Sequence, residues 1–223
     1  MSSSFGLILF DFDGTLVDSQ NAITRCMGQA FDRAGIMAPG RDEVRRIVGL
    51  TLELAIERLL PGLPSADLVA RVSADYREAF FTFRQDPTFE EPLFPGVRET
   101  LRVLQRPDVQ LGVATGKNLR GLTHSLATHG LRDFFTTLQT PDHNPSKPHP
   151  AMVERALLET GCTASQTVVI GDTSFDMEMA VNAGVTAVGV AWGYHHRDEL
   201  TAAGARVIVD SFAALPGALG QLC

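Results

Sequence analysis

Along the 223 residues the apolar positions follow two rhythms. Short, almost unbroken apolar runs occur at residues 5–10, 109–114, 134–138, 167–170, 185–190 and 206–209, the third of them the weakest. Strands covered on both faces carry such runs in place of alternation, as in a parallel sheet. Between the later runs the apolar residues recur every three or four positions, which predicts helices over 96–105, 118–128, 150–160 and 174–182. Pro95 and Asn118 stand where helix starts are signalled, and Gly161 and Gly184 where helices stop. A short terminal helix is predicted over 213–222. This alternation of strand and helix predicts an α/β fold, a doubly wound parallel sheet.

One stretch breaks the alternation. From Asp18 to Pro92 no strand pattern appears, and helical periods fill residues 22–34, 41–48, 52–60 and 66–83 instead. Pro39-Gly40, Pro61-Gly62 and Pro64 punctuate them, and Pro87, Pro92 and Pro95 mark the return to the sheet. The expected organisation is therefore a core made of residues 1–17 and 93–223, with a helical cap, residues 18–92, inserted after the first strand. There is no internal repeat and no low-complexity tract.

In open α/β sheets ligands bind beyond the carboxyl ends of the strands, so what each predicted strand delivers there matters most. The first delivers Asp11-Phe12-Asp13-Gly14-Thr15 and the second Thr115-Gly116-Lys117. Lys147-Pro148 follows the third, and the fourth delivers Gly171-Asp172 with Asp176 four residues on. A single aspartate at a strand end ordinarily caps a helix or a turn. Asp11 and Asp13 are different: residues two apart in extended chain point the same way, and two crowded carboxylates repel unless a cation lies between them. Magnesium suits such a place, because it takes oxygen ligands. Taken singly, Thr115 reads as a helix-start residue and Lys147 as surface. Carboxylates, an ammonium and a hydroxyl at four successive strand ends together describe a site for a metal and an anion.

Charge sharpens this picture. The chain carries a net charge of -7 and no basic run, so nucleic acid and anionic membranes are not expected partners. It has two lysines, Lys117 and Lys147, and both fall at the predicted strand ends. Cys26, Cys162 and Cys223 are odd in number and widely spaced, with no CxxC, which fits reduced thiols in the cytoplasm better than a disulfide framework; Cys26 and Cys162 read as small core residues. No signal peptide is evident at the start, and no apolar run approaches the length of a bilayer span.

The four strand ends resemble the four motifs of the haloacid dehalogenase superfamily: Asp11-Phe12-Asp13-Gly14-Thr15-Leu16, then Val113-Ala114-Thr115-Gly116-Lys117, then Ser146-Lys147-Pro148, then Gly171-Asp172 through Asp176. The resemblance covers nearly the whole chain. The helical insertion resembles the small helical cap of the family, and Val190-Ala191-Trp192-Gly193-Tyr194 with Gly204-Ala205-Arg206-Val207-Ile208 look most like its phosphoglycolate phosphatase branch. The resemblance implies a magnesium-dependent phosphatase acting on a small phosphomonoester. In it Asp11 is the nucleophile that forms an aspartyl-phosphate, and Asp13 the general acid and base. Asp11, the Asp13 carbonyl and Asp172 hold Mg2+, with Asp176 bracing them, while Thr115 and the Gly116 N–H bind the phosphoryl group and Lys147 offsets the crowded negative charge. Gly14 supplies the sharp turn after the catalytic pair. Lys117 either touches substrate or points to solvent.

Within the family, Asp13 argues against dehalogenation, which needs no second aspartate, and the lysine-free cap excludes Schiff-base chemistry there. A sugar-phosphate mutase, or a non-catalytic phosphate-binding protein, remains as an alternative. Substrate choice is expected in the cap. Arg45, Arg46, Gly49 and Leu50 form a loop that can reach the site, and an arginine there suits a substrate carboxylate, although Arg45 and Arg46 read first as a solvated helix face. Phe80, Phe81 and Phe83 read as cap core, and His195-His196 as a surface turn. The helical cap also offers a surface on which a homodimer can form.

Overall fold

The structure, a computed structural model, describes residues 5–222. What the sequence suggests for residues 1–4 and for Cys223 lies outside the described residues. Six strands are present: β1 (Leu7–Phe10), β2 (Gln110–Ala114), β3 (Thr137–Gln139), β4 (Thr167–Gly171), β5 (Thr186–Val190) and β6 (Val207–Val209). All neighbours pair in parallel, in the order β3-β2-β1-β4-β5-β6. The order runs outward in both directions from β1 and β4, which places the crevice of the sheet beyond the carboxyl ends of its central strands.

The unbroken apolar runs are explained by burial on both faces. Ile8 and Phe10 of β1, Val168 and Ile170 of β4, and Val188 and Val190 of β5 face one hydrophobic cluster. Leu7 and Leu9, Val169 and Ala187 face the other. The first is covered by α5 (Val97–Leu104), α6 (Leu119–Thr128) and the terminal α10 (Leu215–Leu222). The second is covered by α7 (Ala151–Thr160), α8 (Ser174–Asn182) and α9 (Arg197–Ala202). Each fully buried aliphatic or aromatic side chain contributes roughly 1.5–3 kcal/mol, so the central strands are held firmly and their ends become fixed points.

The inserted stretch forms α1 (Gln20–Arg33), α2 (Arg41–Arg45), α3 (Leu52–Leu59) and α4 (Ala66–Phe83). It has its own apolar cluster, in which Ala22, Ile23, Cys26, Met27, Ala30 and Phe31 make one stripe of α1 against Val72, Ala79 and Phe80 of α4. The chain leaves the sheet and returns through two paired segments: the Asp18 amide donates to the Pro92 carbonyl at 2.8 Å and the Phe94 amide to the Leu16 carbonyl at 3.0 Å.

Three sequence expectations shift. Residues 132–134 form a short 3-10 turn and the third strand follows at Thr137–Gln139, so its apolar run marked the approach to the strand and not the strand itself. α2 ends at Arg45, short of residue 48. α9 was not expected at all: six residues with one buried side chain, Leu200, carry no readable period, and the helix is held by the Glu199 carboxylate accepting from the His196 amide at 2.9 Å.

Candidate active site

The ends of β1, β2 and β4 and the loop after β3 converge on one crevice. Asp11, Asp172 and Asp176 are buried, and each offers a carboxylate oxygen within 4.8 Å of the others. Lys147, fully buried, donates to Asp11 Oδ1 at 2.7 Å and to Asp176 Oδ1 at 2.6 Å. Asp176 has a second duty at the start of α8, where its Oδ2 accepts from the Thr173 amide at 3.0 Å and the Thr173 hydroxyl at 2.7 Å. Asp172 accepts from the Thr15 hydroxyl at 2.8 Å and the Tyr194 amide at 2.9 Å. Asp11 Oδ2 is buried and has no hydrogen-bond partner among the described residues.

Gly14 turns the chain at φ 92, and a side chain there would collide with the Asp172 carboxylate and the Tyr194 ring. The sequence suggested the turn; the close approach of this glycine to Asp172, which brings the first and fourth strand ends together, appears only in the structure. At Gly116 the crowding is against the inserted helices: a Cβ would meet the carbonyls of Gly49 and Leu50. Thr115 is buried, and its hydroxyl accepts from the Lys117 amide at 3.2 Å.

Lys117 does not point to solvent. It donates to Asp13 Oδ1 at 2.9 Å and to Glu91 Oε1 at 2.9 Å, and Glu91 Oε2 accepts from the Ser125 hydroxyl at 2.7 Å. Sequence reasoning missed Glu91, which sits in the return segment with no motif to mark it. His195 is buried, its Nδ1 accepting from the Ser174 amide at 3.1 Å, so only His196 of that pair is exposed. Cys26 is buried among the inserted helices, where burial pushes its thiol up to about 12. Cys162 is partly buried and packs against the edge of the second hydrophobic cluster.

The electrostatics are unbalanced. Burial pushes the Asp11 carboxyl up to about 7, Lys147 opposing this and the Asp176 and Asp13 charges adding to it. Burial, then Asp11 and Asp176, hold Asp172 well above the usual carboxylate range. Burial alone would lower Lys147, but Asp11 and Asp176 raise it, so it stays a cation. Lys117 behaves likewise between Asp13 and Glu91. Five acidic side chains thus face two ammonium groups. The unpartnered Asp11 oxygen and the all-oxygen donor set fit a hard divalent cation.

Above the carboxylates lies a cavity of about 440 Å³. Asp11, Asp13, Thr115, Gly116 and Lys117 form its floor, and Gly49 and Leu50 reach it from the inserted helices. Arg45 and Arg46 do not line it. Arg45 donates to the Gly193 carbonyl at 3.0 Å, and Arg46, largely exposed, lies 3.8 Å from Glu199. The arginines that do line it are Arg77, Arg84 and Arg120. Phe80 belongs both to the helical core and to the cavity wall, Phe81 lines the cavity, and Phe83 packs edge-on against Phe89 at 5.3 Å. Among the described residues no helix is long and apolar enough to cross a membrane.

The comparisons with known proteins agree with this geometry. The profile of haloacid dehalogenase-like hydrolases matches residues 8–190. The chain is 38% identical over 220 residues to a probable phosphatase, IndB, of Dickeya dadantii, covering 97% of this chain and 94% of the relative. It is 31% identical over 222 residues to a phosphoglycolate phosphatase of Nitrosococcus oceani, covering 96% of each. A crystal structure of a haloacid dehalogenase-like hydrolase from Bacteroides fragilis superposes with a TM-score of 0.85 at 27% identity, over 99% of this chain and 100% of that one. By its sequence, its parallel sheet and the aspartates at its strand ends, the chain belongs to the haloacid dehalogenase-like hydrolase family, in the branch populated by phosphatases.

Proposed function

We propose that the chain is a magnesium-dependent phosphatase that hydrolyses a small phosphomonoester through a phosphorylated Asp11. The observation that carries this reading is the Asp11 carboxylate: Asp11 lines the floor of the cavity, Lys147 holds its Oδ1, and its Oδ2 is buried with no hydrogen-bond partner among the described residues. A nucleophile fixed by one oxygen and free at the other is positioned for attack without further ordering. Asp11, Asp172 and the Asp13 carbonyl, with Asp176 behind them, would hold Mg2+, which when bound supplies positive charge against the anionic phosphoryl group.

The chain's own residues then divide the work. An Asp11 oxygen bonds to phosphorus as the ester P–O bond breaks, and Asp13 gives its proton to the departing oxygen. Lys117 holds Asp13 by Oδ1, which leaves Oδ2 to carry that proton. Water next attacks phosphorus, passes its proton to Asp13 and releases inorganic phosphate from Asp11. Thr115 and the Gly116 N–H orient the phosphoryl oxygens, and Lys147 balances the charge beside Asp11 throughout.

The names of the relatives supply phosphoglycolate as the reference substrate. The test is phosphate release from a panel of phosphorylated metabolites, with magnesium and then with EDTA. EDTA-sensitive release supports the reading. Isomerisation of a sugar phosphate without release would make the chain a mutase, and silence in both assays a binding protein.

A further inference from the structure

The cavity is larger and more apolar than a two-carbon phosphoester requires. Its volume of about 440 Å³ falls in the range that encloses ligands of drug size. The phosphoryl group needs only the floor. Above it the wall is built from Ile23, Met27, Leu52, Phe80 and Phe81, a surface against which phosphoglycolate has almost no apolar atoms to place. Filling that space with an apolar group removes both partners from water.

One side chain in the wall asks for an anion. Arg77 is held by Glu53, but Arg84 has no carboxylate partner among the described residues. Its Nε is buried and takes no hydrogen bond, and its guanidinium carbon lies 4.7 Å from the centre of the Phe80 ring. The same ring has Lys117 Nζ at 5.4 Å from its centre, and Lys117 touches Asp13. Arg84 and the lysine that touches the acid–base aspartate therefore lie against the same aromatic ring. A buried donor without an acceptor is costly, and the planar guanidinium matches a carboxylate well.

We propose that the site selects a phosphomonoester whose alcohol carries both a ring-sized apolar body and an anionic group, with Arg84 as the residue that binds the anion. This rests on the phosphatase reading above. It departs from phosphoglycolate in the apolar body, and from the sequence expectation in placing the selector just after the last residue of α4 instead of at Arg46.

Steady-state hydrolysis of four esters by the magnesium-loaded full chain tests it. Para-nitrophenyl phosphate reports whether the chain hydrolyses phosphoesters at all. Phosphoglycolate has the anion without the ring, phenethyl phosphate the ring without the anion, and the phosphate ester of 3-phenyllactate both. The phenyllactate ester should exceed phosphoglycolate and phenethyl phosphate in kcat/KM by about tenfold or more each. Arg84→Gln should lower the phenyllactate ester about tenfold more than phenethyl phosphate, mainly through KM. Turnover of para-nitrophenyl phosphate with phosphoglycolate equal or better than the phenyllactate ester would overturn the substrate class and leave the phosphatase reading standing. Equal loss of both ring esters in Arg84→Gln would overturn the role of Arg84. No hydrolysis of any ester would overturn the phosphatase reading and this inference with it. Should Arg84→Gln not fold, inhibition of the unmodified chain decides: 3-phenyllactate inhibiting about tenfold more tightly than both glycolate and 2-phenylethanol supports the proposal, and equal inhibition overturns it.

Discussion

On the floor of the cavity each charged side chain is already held by another, whereas on the roof Arg84 stands without a carboxylate among the described residues. The floor is built on strand ends whose backbone is fixed by two layers of packing, so Lys147 can sit within 2.7 Å of one aspartate and 2.6 Å of another before any ligand arrives. The roof is built on helices with their own core, joined to the sheet through two paired segments. Chemistry that must be identical for every substrate belongs on the first kind of support, and recognition that varies with substrate on the second.

The contrast makes graded predictions. The largest effect should come from Asp11→Asn, which removes the nucleophile from the floor. Phosphate release should fall by about 10⁴-fold or more while the folded signal in circular dichroism stays; turnover near the unmodified rate would reject Asp11 as nucleophile. Lys147→Met leaves two buried carboxylates unpaired. In EDTA it should cost about 3–5 kcal/mol of stability in urea unfolding, and a loss under about 1 kcal/mol would mean that the floor is not pre-assembled around this ammonium. Asp13→Asn should slow alkyl phosphates by about 10²-fold or more and aryl phosphates much less, since a phenolate leaves without a proton; equal losses would remove Asp13 from the acid role.

The smaller effects probe the junction and the roof. Gly116→Ala pushes a methyl group into the Gly49 and Leu50 carbonyls and should lower kcat/KM by roughly tenfold to a hundredfold through misplacement of the roof over the floor. An unchanged kcat/KM would show that the two surfaces do not close on each other during turnover. Arg46→Ala should be almost silent, within about 0.5 kcal/mol in stability and without a change in KM, because that side chain is exposed beside Glu199 and away from the cavity. A raised KM would return Arg46 to the substrate site.

The same contrast decides what could be read from the sequence. Asp11, Thr115 and Asp172 were legible because each ends an apolar run, and the end of a buried parallel strand has one place to be. Lys147 followed from its position after the third strand, even though the strand itself begins three residues later than its apolar run suggests. Glu91 and Arg84 were not legible. Their neighbours, Lys117 at 26 residues' separation and the Phe80 ring one helical turn away, make sense only once the end of α4 faces the segment that follows β2. Helical periodicity tells which face of α4 meets α1, and says nothing of what the next face overlooks. For the same reason the sequence singled out Arg46 and passed over Arg84: loop position suggested reach, and only packing gives direction.

The chain has two lysines, and their side chains are 0% and 9% exposed. Amine-directed labelling therefore meets a surface without ε-amino groups. Cross-linkers, fluorescent esters and resin couplings that act on lysine need a neutral amine within reach, and Lys117 is held as a cation between Asp13 and Glu91 while Lys147 is fully buried between Asp11 and Asp176. Neither lysine should therefore take up a small amine-reactive ester while the fold is intact, and peptide masses after such treatment would check it.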